Sequence, residues 1–197
     1  MNKPADKTLA LLSGATGINV QSLPSMKHLI FAMRTDTPPF DNPDVRLALK
    51  YAIDRESILN TVLRGNGSLG NDQPIGPANQ FFNADLPQRG YDPEKAKFHL
   101  QKAGLSSLDV ELSASEGAWS GAVDAATLYS EHAKVAGINI KVVREPNDGY
   151  WSNVWMKKPW FASWAGGRVS ENLMMTLTYS ADAKWNETYW QNDRFNE

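Results

Sequence analysis

Apolar and polar positions fall into two interleaved rhythms along this chain, a period near two and a period near 3.6. His28-Leu29-Ile30-Phe31-Ala32-Met33-Arg34 predicts a strand. Val45, Leu49, Ala52 and Ile53 then recur at helical spacing, which predicts a helix from Pro43 to about Ile53. Asn42 is placed to cap it and Pro43 to open it. Asp54 caps a second helix with the stripe Ile58, Leu59, Val62, Leu63, and Gly65-Asn66-Gly67 stops it. Residues 65–90 are rich in glycine, proline and asparagine and predict a long ordered loop. Asp92-Pro93 opens a third helix with Ala96, Leu100 and Ala103 inward, ended by Gly104. Upstream, Leu9, Leu11 and Leu12 read as a helix end and Ile18-Asn19-Val20 as a brief strand.

The second half repeats the alternation more cleanly. Leu108-Asp109-Val110-Glu111-Leu112 predicts a strand, Ala122 to Ala136 a helix closed by Gly137, and Ile138 to Val143 a second strand. A helix joining two strands points to a parallel pair, since a parallel connection needs a crossover. A short helix is expected from Tyr150 to Met156, and a helix capped by Ser170 through Leu177. Between them lies Trp160-Phe161-Ala162-Ser163-Trp164-Ala165-Gly166-Gly167-Arg168. It starts as a strand, with Trp160, Ala162 and Trp164 on one face and Phe161, Ser163 and Ala165 on the other. It ends in two glycines, which allow a sharp turn or a close guest, and in a permanently charged guanidinium. Aromatic walls, bare backbone and one oriented charge at a strand end are what a small-ligand pocket needs. A core strand running into a solvated turn explains the same residues equally well. The order of elements predicts an α/β fold with a mixed sheet and flanking helices.

Composition narrows the function. With 197 residues, 42% hydrophobic and 21% charged, the chain can bury one proper core. A formal net charge of -2 with both signs interspersed argues against a nucleic-acid binder. There are 0 cysteines, which suits an oxidising compartment. The 3 histidines, His28, His99 and His132, show no metal-ligand spacing, so neither metal nor cofactor is expected. All 7 tryptophans lie between Trp119 and Trp190, so the large aromatic surfaces belong to the second half. Trp151 and Trp155, at helical spacing, are expected in the core, whereas Trp119 sits on a glycine-flanked link and is better explained by a ligand. Trp185 and Trp190 are expected on a face that meets another lobe.

Three stretches carry a resemblance. Pro38-Pro39-Phe40-Asp41-Asn42-Pro43-Asp44-Val45-Arg46-Leu47-Ala48-Leu49-Lys50-Tyr51-Ala52-Ile53-Asp54-Arg55 closely resembles the signature segment of the extracytoplasmic solute-binding proteins of the peptide, oligopeptide and nickel uptake class, family 5. Tyr91-Asp92-Pro93-Glu94-Lys95-Ala96, ending in Ala103-Gly104, matches the block that follows. Gly137-Ile138 leading to a strand, then the Trp164-Ala165-Gly166 turn, is the third. The resemblance implies one lobe, the second, of a bilobal periplasmic-binding-protein-like fold. Residues 1–27 would be a flank from the missing first lobe, 28–180 the ligand-binding lobe, and 181–197 a return toward the first lobe. It further implies a periplasmic or extracytoplasmic parent, no export signal being recognisable in Met1–Lys7, and an ABC transporter permease as partner.

By the same resemblance the cleft wall comes from the link after the first parallel strand, with Glu116 and Trp119, and from the turn holding Trp164, Gly166, Gly167 and Arg168. In peptide-binding relatives that turn carries an aspartate which holds the ligand's amine. Gly167 stands there in this chain and Arg168 follows it, so the implied solute is peptide-like or another small polar or acidic molecule. Arg168 could instead pair on the surface with Glu171 or Asp182. Two other functions remain open at this stage. One is a carbohydrate hydrolase with Glu116 and Asp148 as the paired carboxylates. The other is a protein-interaction module using exposed aromatic surface.

Overall fold

The computed structural model describes residues 11–21, 26–77 and 79–197. Its centre is a four-stranded sheet in the order β1-β4-β2-β3, built from β1 (His28–Met33), β2 (Leu108–Ala114), β3 (Ile138–Arg144) and β4 (Trp160–Ala165). β2 runs parallel to β3 and to β4, and β1 runs antiparallel to β4. The sheet is therefore mixed, with helices packed on it, as the alternating periods require.

The expected caps do their work. Asn42 accepts from the Asp44 amide to start α1 (Pro43–Tyr51), and Asp54 accepts from Ser57 to start α2 (Arg55–Thr61). Asp92 accepts from Lys95 to start α3 (Pro93–Lys102), which packs against α1. α4 (Ala122–Lys134) links β2 to β3 and covers them. Its Tyr129 hydroxyl donates to the Leu49 carbonyl at 2.6 Å, tying α4 to α1. Tyr129 also meets Trp160 edge-on at 5.6 Å, and Phe40 closes the other side of Trp160 at 5.7 Å. Trp160, Phe161, Leu49, Leu100, Leu112 and Ile138 are all shut from solvent and form the centre of the core.

Several expectations need correction. Ile18-Asn19-Val20 is irregular and exposed, not a strand. Leu9 lies outside the described residues. The helix expected from Tyr150 to Met156 is a single turn, α5 (Tyr150–Asn153), which gives way at Val154 to tight turns that include Met156 at a positive φ of 57°. Ser170 caps α6 (Glu171–Met174), which then widens into a π-helical turn over Met175–Tyr179. α7 (Asp193–Asn196) closes the chain.

The stretch around Glu187 packs onto the sheet. The Thr35 amide donates to the Thr188 carbonyl at 2.8 Å, and the Arg34 guanidinium lies 4.0 Å over the Tyr189 ring. This stretch covers the far end of β1 and is part of the folded body.

Candidate functional site

Strand direction decides which loops meet. Ser113 of β2 is opposite Phe161 of β4, and the two strands run parallel. β4 thus continues past the point where β2 ends, and the link after β2 and the turn after β4 leave the sheet at one edge. β1 is antiparallel, with His28 opposite Ala165, so the residues before it, Met26 and Lys27, reach that edge too. α5 follows β3 and adds Trp151. Ligands of open α/β sheets bind at such carboxyl edges, where backbone ends converge.

Trp164 is 39% exposed and Trp151 41% exposed, although Trp160 on the same strand is buried. The two exposed rings meet edge to face at 6.4 Å. The Lys27 ammonium lies 4.3 Å from the centre of the Trp164 ring. Two glycines follow it, and the second has no room for a side chain. A Cβ at Gly166 would stand 3.4 Å from the Trp164 ring and 3.2 Å from Arg168 Nη1, and one at Gly167 only 2.4 Å from Met26 Cβ. The turn is thus pressed against the approach to β1.

Arg168 is half-buried on the face of Trp185, its guanidinium 5.3 Å from the ring centre. Its Nη1 reaches the Gly167 carbonyl at 3.5 Å, the long limit of a hydrogen bond. Its Nε is shut from solvent with no partner. Neither candidate surface acid holds it: no ion pair among the described residues involves Arg168. Glu171 is the first residue of α6. Its carboxyl is lowered first by its own backbone amide, then by Asn79 and the amides of Phe81 and Gln80.

Two of the expected wall residues are placed differently. Trp119 is 8% exposed, its ring 6.0 Å from Phe31 and close to Gly121. The glycine-flanked link folds it inward: Gly121 takes φ +88°, and the ring joins the core instead of the exposed edge. Its indole Nε1 is buried without a partner. Glu116 is exposed, and its Oε2 accepts from the Gly121 amide at 2.7 Å, a cap on α4. The link itself is held by Asn147, whose Oδ1 accepts from Ser115 Oγ and from the Gly117 amide, both at 2.8 Å.

Behind the exposed edge lies a buried polar group that the periodicity does not reveal. Glu187 Oε1 accepts from Trp155 Nε1 at 2.6 Å and from Ser163 Oγ at 2.7 Å, while Oε2 is buried and unpartnered. Burial raises the Glu187 carboxyl above its ordinary range, against the two donors that favour its charged form. His28 Nε2 lies 3.0 Å from the Tyr179 hydroxyl in the same layer, and burial lowers this histidine. Among the described residues no cluster of histidine and carboxylates is arranged to hold a metal.

Trp151 and Lys27 are site neighbours that sequence reasoning missed. Spacing from Trp155 predicts a buried Trp151, but only one helical turn forms there. Its neighbours Ser152 and Asn153, both exposed, were the available signal.

A model of the bacterial extracellular solute-binding proteins, family 5 middle, matches residues 1–187. The chain is 41% identical over 73 residues to a heme-binding protein A of Haemophilus influenzae, covering 37% of this chain and 13% of that protein. It is 33% identical over 102 residues to a dipeptide-binding protein of Escherichia coli, covering 52% of this chain and 18% of that protein. A solved dipeptide-binding protein from Pseudoalteromonas sp. SM9913, in complex with Met-Leu, superposes with a TM-score of 0.85 at 25% identity. That match covers 98% of this chain and 40% of the other. The chain thus spans less than half the length of these relatives.

Proposed function

The chain belongs to the bacterial extracellular solute-binding proteins of family 5, and from that premise we propose that it is one lobe of the solute-capturing component of an ABC-type importer. The parent would take up a peptide-like or other small polar solute outside the cytoplasm and deliver it to a membrane permease. The carrying observation is the exposed carboxyl edge, where Trp151 and Trp164 stand in the open beside Gly166, Gly167 and Arg168. Tryptophan faces are seldom left uncovered, and these two converge with a guanidinium that makes no ion pair among the described residues.

The lobe would work by surface and charge, with no bond made or broken. A solute would lie on the Trp164 face and take hydrogen bonds from the glycine backbone. The other lobe would then close over it, a hinge motion that a permease can sense.

Half a cleft buries only part of a solute, so the isolated chain should bind weakly. Calorimetry with a dipeptide panel tests this: the two-lobed parent should bind at least about tenfold tighter than these 197 residues. Tight binding by the single lobe, equal to that of the parent, would contradict the reading. The hydrolase alternative finds no support, since the Glu116 carboxylate is spent on a helix cap.

A further inference from the structure

Resting on the importer reading, we propose that the edge beyond β4 selects an acidic solute, seating a ligand carboxylate on Arg168 with the Trp164 ring as its floor. Four observations converge. Arg168 has no carboxylate partner among the described residues, and Glu171, the nearest acid in sequence, makes no ion pair with it. A half-buried guanidinium without a counterion is costly, and a guest anion would relieve it. Its orientation is already set, because the ring of Trp185 supports it at 5.3 Å. With Nε covered, the Nη1–Nη2 edge is what faces a guest, and that planar fork matches a carboxylate.

The backbone adds to this. The amides of Gly166, Gly167 and Arg168 donate to no acceptor among the described residues. Neither glycine can gain a side chain without meeting Trp164, Arg168 or Met26, so the guest would approach bare backbone. A second positive charge, Lys27, stands 4.3 Å over the Trp164 ring. No carboxylate belongs to this turn itself, whose residues from Trp164 to Val169 are tryptophan, alanine, two glycines, arginine and valine. A ligand ammonium at this turn would therefore meet the Arg168 guanidinium and no carboxylate of the turn's own, which costs affinity through like-charge repulsion.

The test separates the two ligand charges with two probes built on one dialanine core. N-acetyl-dialanine carries only a carboxylate, and alanyl-alaninamide only an ammonium. Each is titrated into the labelled chain while the amide signals of Gly166 and Gly167 and the Arg168 Nε–H signal are followed by NMR, which reads weak binding. Saturable shifts with N-acetyl-dialanine, weakened at least tenfold in Arg168→Gln and less in Arg168→Lys, support the anchor. A stronger response at these signals to alanyl-alaninamide overturns the anchor and leaves a solute edge standing. An Arg168→Gln protein that is folded and binds N-acetyl-dialanine as well as the parent also overturns it. Silence of both probes at these signals overturns the anchor, while the importer reading stands or falls on the comparison of this chain with the two-lobed parent.

Discussion

Replacing Glu187 by leucine removes the acceptor that Trp155 and Ser163 share behind β4. Each donor is left in a dry layer, since Ser163 is 0% exposed and Glu187 itself 8% exposed. An orphaned buried donor costs about 1–3 kcal/mol, so two cost about 2–6 kcal/mol. The apolar side chain recovers part of this, because it removes a carboxyl oxygen that has no partner of its own. A net loss of about 2–4 kcal/mol should lower the melting temperature by roughly 4–16 °C in a domain of this size. Glu187→Gln keeps one acceptor oxygen and should lose less than about 1 kcal/mol. The two differ in pH dependence as well. Burial raises the Glu187 carboxyl in the folded state, so the fold holds its proton where the unfolded chain has released it. That contribution is complete below the ordinary carboxylate range and fades as pH rises through the raised value. Glu187→Gln should therefore gain stability relative to the parent as pH rises. Urea denaturation of the three proteins from pH 4 to pH 8 reads both effects. A Glu187→Leu protein as stable as the parent, or a Gln-minus-parent difference that is flat with pH, would refute the reasoning.

Three further outcomes follow from the same packing. Gly167→Ala drives a methyl to 2.4 Å from Met26 Cβ and should cost about 1–3 kcal/mol in urea denaturation, as overpacking does. Trp160→Ala should cost about 3–5 kcal/mol, whereas Trp164→Ala, 39% exposed at the start, should change stability little and abolish solute shifts at the edge. Trp119→Phe keeps the contact with Phe31 and removes an indole N–H that has no partner, so thermal unfolding should shift by no more than about 1 kcal/mol.

Most of the fold is legible because its elements announce themselves locally. Asn42, Asp54, Asp92 and Ser170 were each expected as caps, and each accepts from an amide two or three residues on. The parallel pair β2–β3 followed from the helix between them. The errors lie where tertiary context outweighs local pattern. Ile18-Asn19-Val20 has strand-forming residues but no partner strand, so it stays irregular. Trp119 and Trp151 exchanged roles for the same reason. Spacing from Trp155 favoured burial of Trp151, but a single turn at the sheet edge exposes it, while Gly121 folds Trp119 under β1. Glu187 had no signal at all. A lone acid between asparagine and threonine reads as solvated until Ser163 and Trp155 are seen to converge on it.

The central claim is that the exposed aromatic edge, not the interior, meets the solute. The indole N–H signals of the seven tryptophans test it in one titration with a mixed dipeptide panel. Those of Trp151 and Trp164 should move and saturate, while those of Trp119 and Trp160, buried in the core, stay fixed. Movement of Trp119 or Trp160 with Trp151 and Trp164 unchanged would contradict the account.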